Sequence, residues 1–178
     1  DYVYVCFYCE DDFIKFLKTI YQFLHTSKLN DKKISLESNL KKKQIENFIQ
    51  NNHEKKIFFH GMLERTELLN QIKSFDLALV PLKTRIYGSV PSKIFEYGAL
   101  GFPILYFGGG EGEIIVKENN LGWVASVEDY NDLNNKLKLI SNLNKSDLQS
   151  MKKRVFEETK EVFNLDNQMN FLIEKEVF

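Results

Sequence analysis

The chain alternates between short runs that are apolar at nearly every position and longer runs that are apolar at every third or fourth position. The short runs cover residues 2–8, 33–37 (a weaker one), 57–60, 77–82, 103–107 and 122–126. Continuous apolar runs of this length are typical of strands that are buried on both faces of a parallel sheet. The longer runs predict helices, and one stripe of the first helix carries Phe13, Phe16, Leu17, Ile20, Phe23 and Leu24.

Further helices are predicted around Ile45, from Thr66, from Pro91, and over residues 114–119, 129–143, 146–163 and 166–178. Strands that alternate with helices are typical of parallel sheets with right-handed, helix-covered crossovers. The sequence therefore predicts an α/β fold, a Rossmann-like doubly wound parallel sheet of about six strands with extra C-terminal helices on its flank. Residues 1–178 are expected to form a single domain.

The charges of the chain nearly cancel. There are 24 basic and 25 acidic residues, giving a net charge of −1, and they are spread along the length. This balance gives no electrostatic reason to expect a nucleic acid or an anionic membrane as a partner. No apolar run has the length of a membrane span. Because the chain opens at Asp1 directly on a strand-like run, we expect it to be part of a longer protein.

The two cysteines, Cys6 and Cys9, have the C-x-x-C spacing of a thioredoxin-like redox pair and lie at a strand end. Three acidic residues follow them at once (Glu10, Asp11 and Asp12), and carboxylates oppose thiolate formation. We therefore favour two reduced thiols in a cytoplasmic protein, with thiol oxidoreduction as the alternative.

The peptide YGSVPSKIFEYGALG, which ends at Gly101, joins the fourth and fifth predicted strands. Pro91 suits the first position of a helix, because its missing N–H needs no partner there. Free N–H groups would follow at the positive end of the helix dipole, which attracts phosphate, on Ser92, Lys93 and Ile94. Lys93 adds a cation, and Glu96 can accept hydrogen bonds from hydroxyls. The alternative is an ordinary crossover helix whose Lys93 and Glu96 are only solvated.

Ligands of doubly wound sheets bind beyond the carboxyl ends of the strands. The loops that meet there are residues 9–12, 61–64, 83–90 and 108–113, and the last contains three consecutive glycines. The glycine-rich loop and the turn before Pro91 therefore predict a phosphate-containing ligand. Four other residues nearby are interpreted as structural: His60 at a strand end, Glu111 and Glu113 as caps of the next helix, and Trp123 in the core.

The segments HGMLERTELLNQIKSFDLALVPL, GSVPSKIFEYGALGFPIL, GGGEGE and NNLGWV resemble the carboxyl-terminal half of a GT-B glycosyltransferase. Among such enzymes the chain is most similar to the retaining family 4 enzymes of bacterial surface polysaccharide synthesis. The resemblance is good over residues 60–143 and holds only in layout over the first fifty. Its most specific part is V-P-S-K-x-x-E-Y-x-A-x-G-x-P-I.

The resemblance implies a role for each residue of this motif. Glu96 matches the glutamate that binds the ribose hydroxyls of the nucleotide sugar. Val90, Pro91, Ser92 and Lys93 match the helix start that holds the diphosphate. Lys93 would also be the catalytic residue, because it stabilises the charge that builds on the departing diphosphate.

The resemblance also implies where the two ends of the ligand lie. Gly88 and Ser89 are placed where the donor sugar would rest. The loop that receives the base, largely through backbone groups, corresponds to Gly61, Met62 and Leu63.

Two departures from the family pattern bear on the donor. Many members have a second glutamate eight residues before the ribose glutamate, where this chain has Gly88, so another group must contact the sugar. Many also have a glycine, an arginine and a lysine after the first strand, a region where this chain offers Lys15 as its candidate cation. The remaining positive charge would then come from Lys83 or Arg85. Tyr87, beside them, suits either stacking on the ligand or an ordinary place at the rim.

The function implied is that of a donor domain in a retaining, metal-independent glycosyltransferase. It would bind a UDP- or GDP-linked sugar, need no cofactor, and meet its glycan or lipid-linked acceptor through an amino-terminal domain absent from this chain. We expect a cytoplasmic protein with no nucleic-acid partner, associated with the inner membrane only through the parent chain. The alternatives are a sugar-nucleotide epimerase-like enzyme and a noncatalytic nucleotide-binding module.

Overall fold

The computed structural model describes residues 2–6, 13–26, 33–37, 42–53, 56–61, 64, 66–67, 70, 74–82 and 88–174. Six parallel strands form one sheet: β1 Tyr2–Cys6, β2 Lys33–Glu37, β3 Ile57–Gly61, β4 Leu77–Pro81, β5 Ile104–Phe107 and β6 Gly122–Ala125. Their order across the sheet is β3-β2-β1-β4-β5-β6. This is the order of a doubly wound sheet, and it confirms the predicted fold class.

Seven helices are described in full: α1 Phe13–Thr26, α2 Lys42–Asn51, α3 Ser92–Ala99, α4 Glu111–Glu118, α5 Tyr130–Ser141, α6 Lys145–Val162 and α7 Leu165–Glu174. Residues 66, 67 and 70 are also helical, as the helix predicted from Thr66 requires. No further strand follows β6 in the described chain, so the change of pattern after the sixth apolar run was interpreted correctly.

Two hydrophobic clusters cover the two faces of the sheet. Along β4, Leu77 and Leu79 belong to the cluster built with α1 and α5, whereas Ala78 and Val80 belong to the cluster built with α3 and α6. The alternation follows from the period of two residues of a strand. Every residue of β4 and β5 is buried, which explains why these strands are apolar throughout. Trp123 is only partly buried and packs against the first cluster.

Helix α4 begins three residues earlier than predicted. Gly110 precedes it with a φ of 82°, a conformation that glycine adopts without strain. Its carbonyl accepts a hydrogen bond from the N–H of Glu113 at 3.1 Å. Glu111 and Glu113 both lie in the first turn, where carboxylates interact favourably with the helix dipole. The prediction was wrong here because the two acidic residues and Gly112 break the apolar pattern without breaking the helix.

Polar caps set the starts of the later helices. The Asp129 carboxylate accepts hydrogen bonds from the N–H groups of Asn131 and Asp132, and Asn144 accepts one from Asp147. Helices α5 and α6 therefore begin at Tyr130 and Lys145, each within one residue of the predicted start.

Helix α3 is fixed at its end and on its side. It is followed by Gly101, whose φ is 75°, and the N–H groups of Gly101 and Phe102 bond to carbonyls of its last turn, a Schellman-type end. The rings of Phe95 and Phe163 pack edge to face, with centroids 5.0 Å apart. A Cβ at Gly98 would lie 3.1 Å from Cγ2 of Thr159 on α6, so the two helices are in close contact. The direction of α3 is thus determined by packing.

Candidate functional site

The reversal of strand order lies between β1 and β4, whose carboxyl ends are neighbours in the sheet. A crevice outside the sheet is expected at this point. The chain returns to the described region at Gly88 and enters α3 four residues later. Several predicted site residues lie outside the described residues: Cys9, Met62, Leu63, Lys83, Arg85 and Tyr87.

The turn before α3 differs from the prediction by one residue. Pro91 has a φ of −60° and a ψ of 123°, which makes it the N-cap and leaves Ser92 as the first helical residue. The N–H of Ile94 donates to the Pro91 carbonyl at 3.0 Å, so it is not available to a ligand as predicted. The amides of Ser92 and Lys93, which have no partner within an α-helix, remain at the helix end. Val90 is partly buried and packs against the second cluster.

Three of the predicted binding residues contact one another at the start of α3. The Glu96 carboxylate accepts a hydrogen bond from Ser92 Oγ at 3.2 Å through Oε1, and one from Lys93 Nζ at 2.7 Å through Oε2. The Lys93 side chain is 15% exposed and the Glu96 side chain 50% exposed. Lys93 Nζ also lies 5.9 Å from the centroid of the Tyr97 ring. The structure therefore brings the proposed phosphate and ribose groups together, paired with each other.

A second contact, which the sequence interpretation missed, ties this turn to the neighbouring loop. The exposed N–H of Gly88 donates to Oε1 of Glu111 at 2.8 Å. This bond, together with one from the N–H of Glu111 itself, lowers the pKa of the carboxyl below its ordinary value. Oε2 of Glu111 is buried and has no hydrogen-bond partner among the described residues. Glu111 was expected only to cap α4; its contact with Gly88 depends on the pairing of β4 with β5, which no local signal reveals.

Tyr106 supports the glycine-rich loop from beneath. Its hydroxyl is buried and donates to the carbonyl of Gly109 at 3.1 Å. A Cβ at Gly112 would lie 2.6 Å from the same hydroxyl, so a larger residue there would displace the ring. Burial, with smaller contributions from Glu113 and Glu111, raises the pKa of Tyr106 to about 12. The hydroxyl is therefore neutral and a donor at any physiological pH.

The other two charged candidates are engaged elsewhere. Glu113 accepts a hydrogen bond from Lys117 at 2.6 Å, one turn along α4. Lys15, in the first turn of α1, lies 4.4 Å from the centroid of the Tyr130 ring, which packs against Phe107 at the end of β5. Lys15 is thus near the carboxyl edge of the sheet, but its described contact is with an aromatic face.

The predicted base-binding loop begins at the far edge of the sheet. Gly61 is the last residue of β3 rather than a break after it, which corrects the predicted boundary. His60 is half-buried within the same strand. Because β2 and β1 lie between β3 and β4, the carboxyl ends of β3 and β4 are three strand spacings apart, about 14 Å. Only an extended ligand would reach from Gly61 to the carboxyl end of β4, the strand that precedes α3.

The described residues contain neither a metal-site cluster nor a candidate membrane-spanning helix. No three His, Cys, Asp or Glu side chains of this part of the chain lie together as a metal site would require. Within the same residues, no helix combines the length and the apolar character needed to cross a membrane. Metal-independent chemistry stays a prediction, because the side chains near a site do not by themselves show how the reaction proceeds.

Comparisons with known proteins identify the fold. A scan of protein-family models and a search of curated proteins find no match. Among solved structures, a glycosyltransferase from Rickettsia africae matches with a TM-score of 0.76 at 14% identity, over 99% of this chain and 47% of that one. A sucrose-phosphate synthase from Thermosynechococcus elongatus matches with a TM-score of 0.71 at 18% identity, over 98% and 45%.

A third match is the separately solved carboxyl-terminal domain of a glycosyl transferase group 1 family protein from Francisella tularensis. Its TM-score is 0.68 at 15% identity, over 92% of this chain and 86% of that one. The fold is that of a GT-B carboxyl-terminal domain. The chain spans less than half the length of the first two matches. At these identities the likeness establishes the fold alone, so substrate and activity must be argued from the site.

Proposed function

We propose that this chain binds a nucleotide-diphosphate sugar and forms the donor half of a retaining glycosyltransferase. The observation that carries the proposal is the start of α3, where Ser92 is the first helical residue and the Ser92 and Lys93 side chains both contact Glu96; α3 follows β4, one of the two strands between which the strand order reverses. There the Ser92 and Lys93 amides and the Lys93 ammonium can receive the diphosphate, while Glu96, one turn further, accepts hydrogen bonds from the ribose.

The chemistry asked of this site is stabilisation of a leaving group. In glycosyl transfer the bond between the anomeric carbon and the phosphate oxygen breaks, and its electron pair passes to the diphosphate. A helix amino end and Lys93 offset that charge without a metal ion. The anomeric carbon forms its new bond to an acceptor hydroxyl, whose proton goes to the departing phosphate oxygen. No protein nucleophile is needed in this scheme.

The geometry supports a nucleotide over a smaller anion. Two strands separate β3, which ends at Gly61, from β4, which precedes α3, and that span suits a base at one end and a diphosphate at the other. The backbone around Gly61 would receive the base, together with Met62 and Leu63 from the loop that follows. The exposed turn at Gly88 and Ser89, beside α3, would receive the sugar.

The acceptor would be a glycan or a lipid-linked sugar bound by a second, amino-terminal domain of the parent protein. The solved chains named above support this division, since this chain covers 45% and 47% of two of them and 86% of a domain solved alone. The parent is proposed to be a bacterial cytoplasmic enzyme that needs no cofactor and does not bind nucleic acid. We expect the 178 residues alone to bind the donor but to transfer little or no sugar.

Two other functions use the same diphosphate cradle. A sugar-nucleotide epimerase would need an acid and a base that face each other across the sugar. Near Gly88 the described residues present Glu111, which is bonded to that turn, so the acid–base pair is not evident there. A noncatalytic module would sense the nucleotide and ignore the sugar.

Isothermal titration calorimetry with UDP-, GDP- and ADP-sugars and the matching free nucleotides distinguishes these functions. Tighter binding of one intact nucleotide sugar than of its free nucleotide supports the donor domain. Equal binding of both supports the sensor, and conversion of the sugar during the titration, followed by NMR, supports the epimerase. Absence of binding to every member of the panel would refute the proposal, and full-rate transfer by the chain alone would refute its two-domain part.

A further inference from the structure

The Gly88 turn packs little against the described part of the chain. Its φ of 71° is a conformation that glycine adopts freely, and a Cβ added there would meet no heavy atom of the described residues within 4 Å. Gly88 and Ser89 are both exposed. A glycine loses much conformational entropy when it is held in one state, so a specific bond to its backbone helps to order this turn.

Glu111 supplies that bond from the neighbouring loop. Its carboxylate accepts the Gly88 N–H at 2.8 Å, although 23 positions separate the two residues in the sequence. The other oxygen, Oε2, is buried and has no hydrogen-bond partner among the described residues, so the bond through Oε1 is the contact that holds this carboxylate to the turn. A hydrogen bond from a backbone N–H to a carboxylate is stronger than one between neutral groups, so it can fix the position of Gly88.

We propose that Glu111 is a positioning residue that holds the Gly88 turn in the shape that receives the donor sugar. The inference rests on the proposed function and adds a determinant to it on a different loop. Without this bond the turn would have to be ordered when the ligand binds, and part of the binding free energy would be lost to that ordering. The loss would fall on the sugar end of the ligand, which Gly88 adjoins, and not on the base.

Three variants separate the role of the bond from that of the charge. Glu111→Ala removes the acceptor. Glu111→Gln removes the charge but keeps an oxygen that can accept the Gly88 N–H. Glu113→Ala is the matched control, because it removes the other first-turn carboxylate of α4, which bonds to Lys117 and not to the turn.

Calorimetry with the nucleotide sugar that binds the parent best measures the effect. We expect Glu111→Ala to lose about tenfold in affinity, and Glu111→Gln and Glu113→Ala to stay within about twofold of the parent. The free nucleotide should bind all four proteins within about twofold. An unchanged Glu111→Ala would overturn the inference. So would a loss in Glu111→Gln as large as in Glu111→Ala, or an equal loss in Glu113→Ala.

The Gly88 amide resonance in a ¹H–¹⁵N spectrum tests the contact without any ligand. It should shift upfield in Glu111→Ala and remain near the parent position in Glu111→Gln. If the parent binds no nucleotide but the resonance behaves in this way, the proposed function fails while the contact is confirmed. Should Glu111→Ala not fold, Glu111→Asp, which keeps the charge but is one methylene shorter, should show the same loss; parental affinity in Glu111→Asp would contradict the positioning role.

Discussion

Replacing Glu96 by alanine removes a carboxylate with two sets of partners. In the structure it accepts hydrogen bonds from Ser92 at 3.2 Å and Lys93 at 2.7 Å. In the occupied site of the proposed function it would accept them from the ribose hydroxyls. The effect of the substitution on affinity is the free energy of the hydrogen bonds to the ribose minus that of the hydrogen bonds to Ser92 and Lys93. Both must therefore be estimated.

The hydrogen bonds of Glu96 to Ser92 and Lys93 are weak because the Glu96 side chain is exposed. With half of the Glu96 side chain in solvent, water screens the ion pair, and such pairs contribute about 0.2–1 kcal/mol. Hydrogen bonds from the ribose to a charged acceptor are worth about 1.5–3 kcal/mol. After the displaced contacts are subtracted, Glu96→Ala should weaken nucleotide binding by about 0.5–2.8 kcal/mol, which is roughly a 2- to 110-fold rise in Kd.

Calorimetry with the nucleotide and with its 2′,3′-dideoxy analogue tests this assignment. The dideoxy analogue has no ribose hydroxyls to donate, so parent and Glu96→Ala should bind it alike. The control is Glu157→Ala, which breaks an exposed i,i+4 pair on α6 and should leave both affinities unchanged. An equal loss for both ligands would show that Glu96 acts through something other than the ribose, and no loss for either would make it a bystander.

Three further predictions concern the diphosphate site and the stability of its scaffold. Lys93→Ala should weaken binding of a nucleoside diphosphate by about tenfold, yet bind the nucleoside as the parent does in the same calorimetric titrations. Lys152→Met should lower the free energy of unfolding in urea by about 1–2 kcal/mol, because it removes two partly buried hydrogen bonds to the residues before β4. The control Lys153→Met breaks an exposed ion pair and should lower it by less than about 0.5 kcal/mol. Gly122→Ala should cost about 3 kcal/mol in the same measurement, since its Cβ would clash with the backbone of Ile104 on the adjacent strand; an unfolding midpoint equal to the parent's would contradict that close approach.

The fold was largely predictable because its signals are local. Strands such as β4 and β5 are buried on both faces, so they are continuous apolar runs, and helices such as α5 begin at a capping side chain. Within the described residues, several strand boundaries lie one residue from their predicted positions. Ser126, for example, was predicted to end β6, but its N–H bonds to Asp132 instead of continuing the ladder.

The site was predictable only as far as one stretch of chain determines it. Ser92, Lys93 and Glu96 share a helix turn, so their proximity follows from sequence spacing. Whether the Ile94 N–H is free depends on the exact residue at which α3 begins. Sequence patterns do not locate a helix boundary to one residue.

The Glu111 contact lay beyond sequence reasoning for a different reason. It requires the loops after β4 and β5 to meet, and that follows from the register of the two strands. A contact between positions 23 residues apart leaves no periodic trace in the chain, because neither residue needs a particular neighbour in sequence. Gly88 and Glu111 were therefore interpreted separately, one as a turn and the other as a helix cap.

The charges at this edge of the sheet bear on how a diphosphate could bind. Lys93 contributes one positive charge, but Glu96 pairs with it, and Glu111 adds a second carboxylate whose pKa is lowered. The helix end supplies about half a charge. The sum of these charges is slightly negative. Lys15, the other candidate cation, contacts the ring of Tyr130. Neutralising a diphosphate therefore requires further cations, which is the role proposed from sequence for Lys83 and Arg85.

The same charge balance favours a ligand whose hydroxyls donate hydrogen bonds to Glu96 while its phosphates bind Lys93. Such a ligand separates the Lys93–Glu96 pair but gives each of the two side chains a new partner.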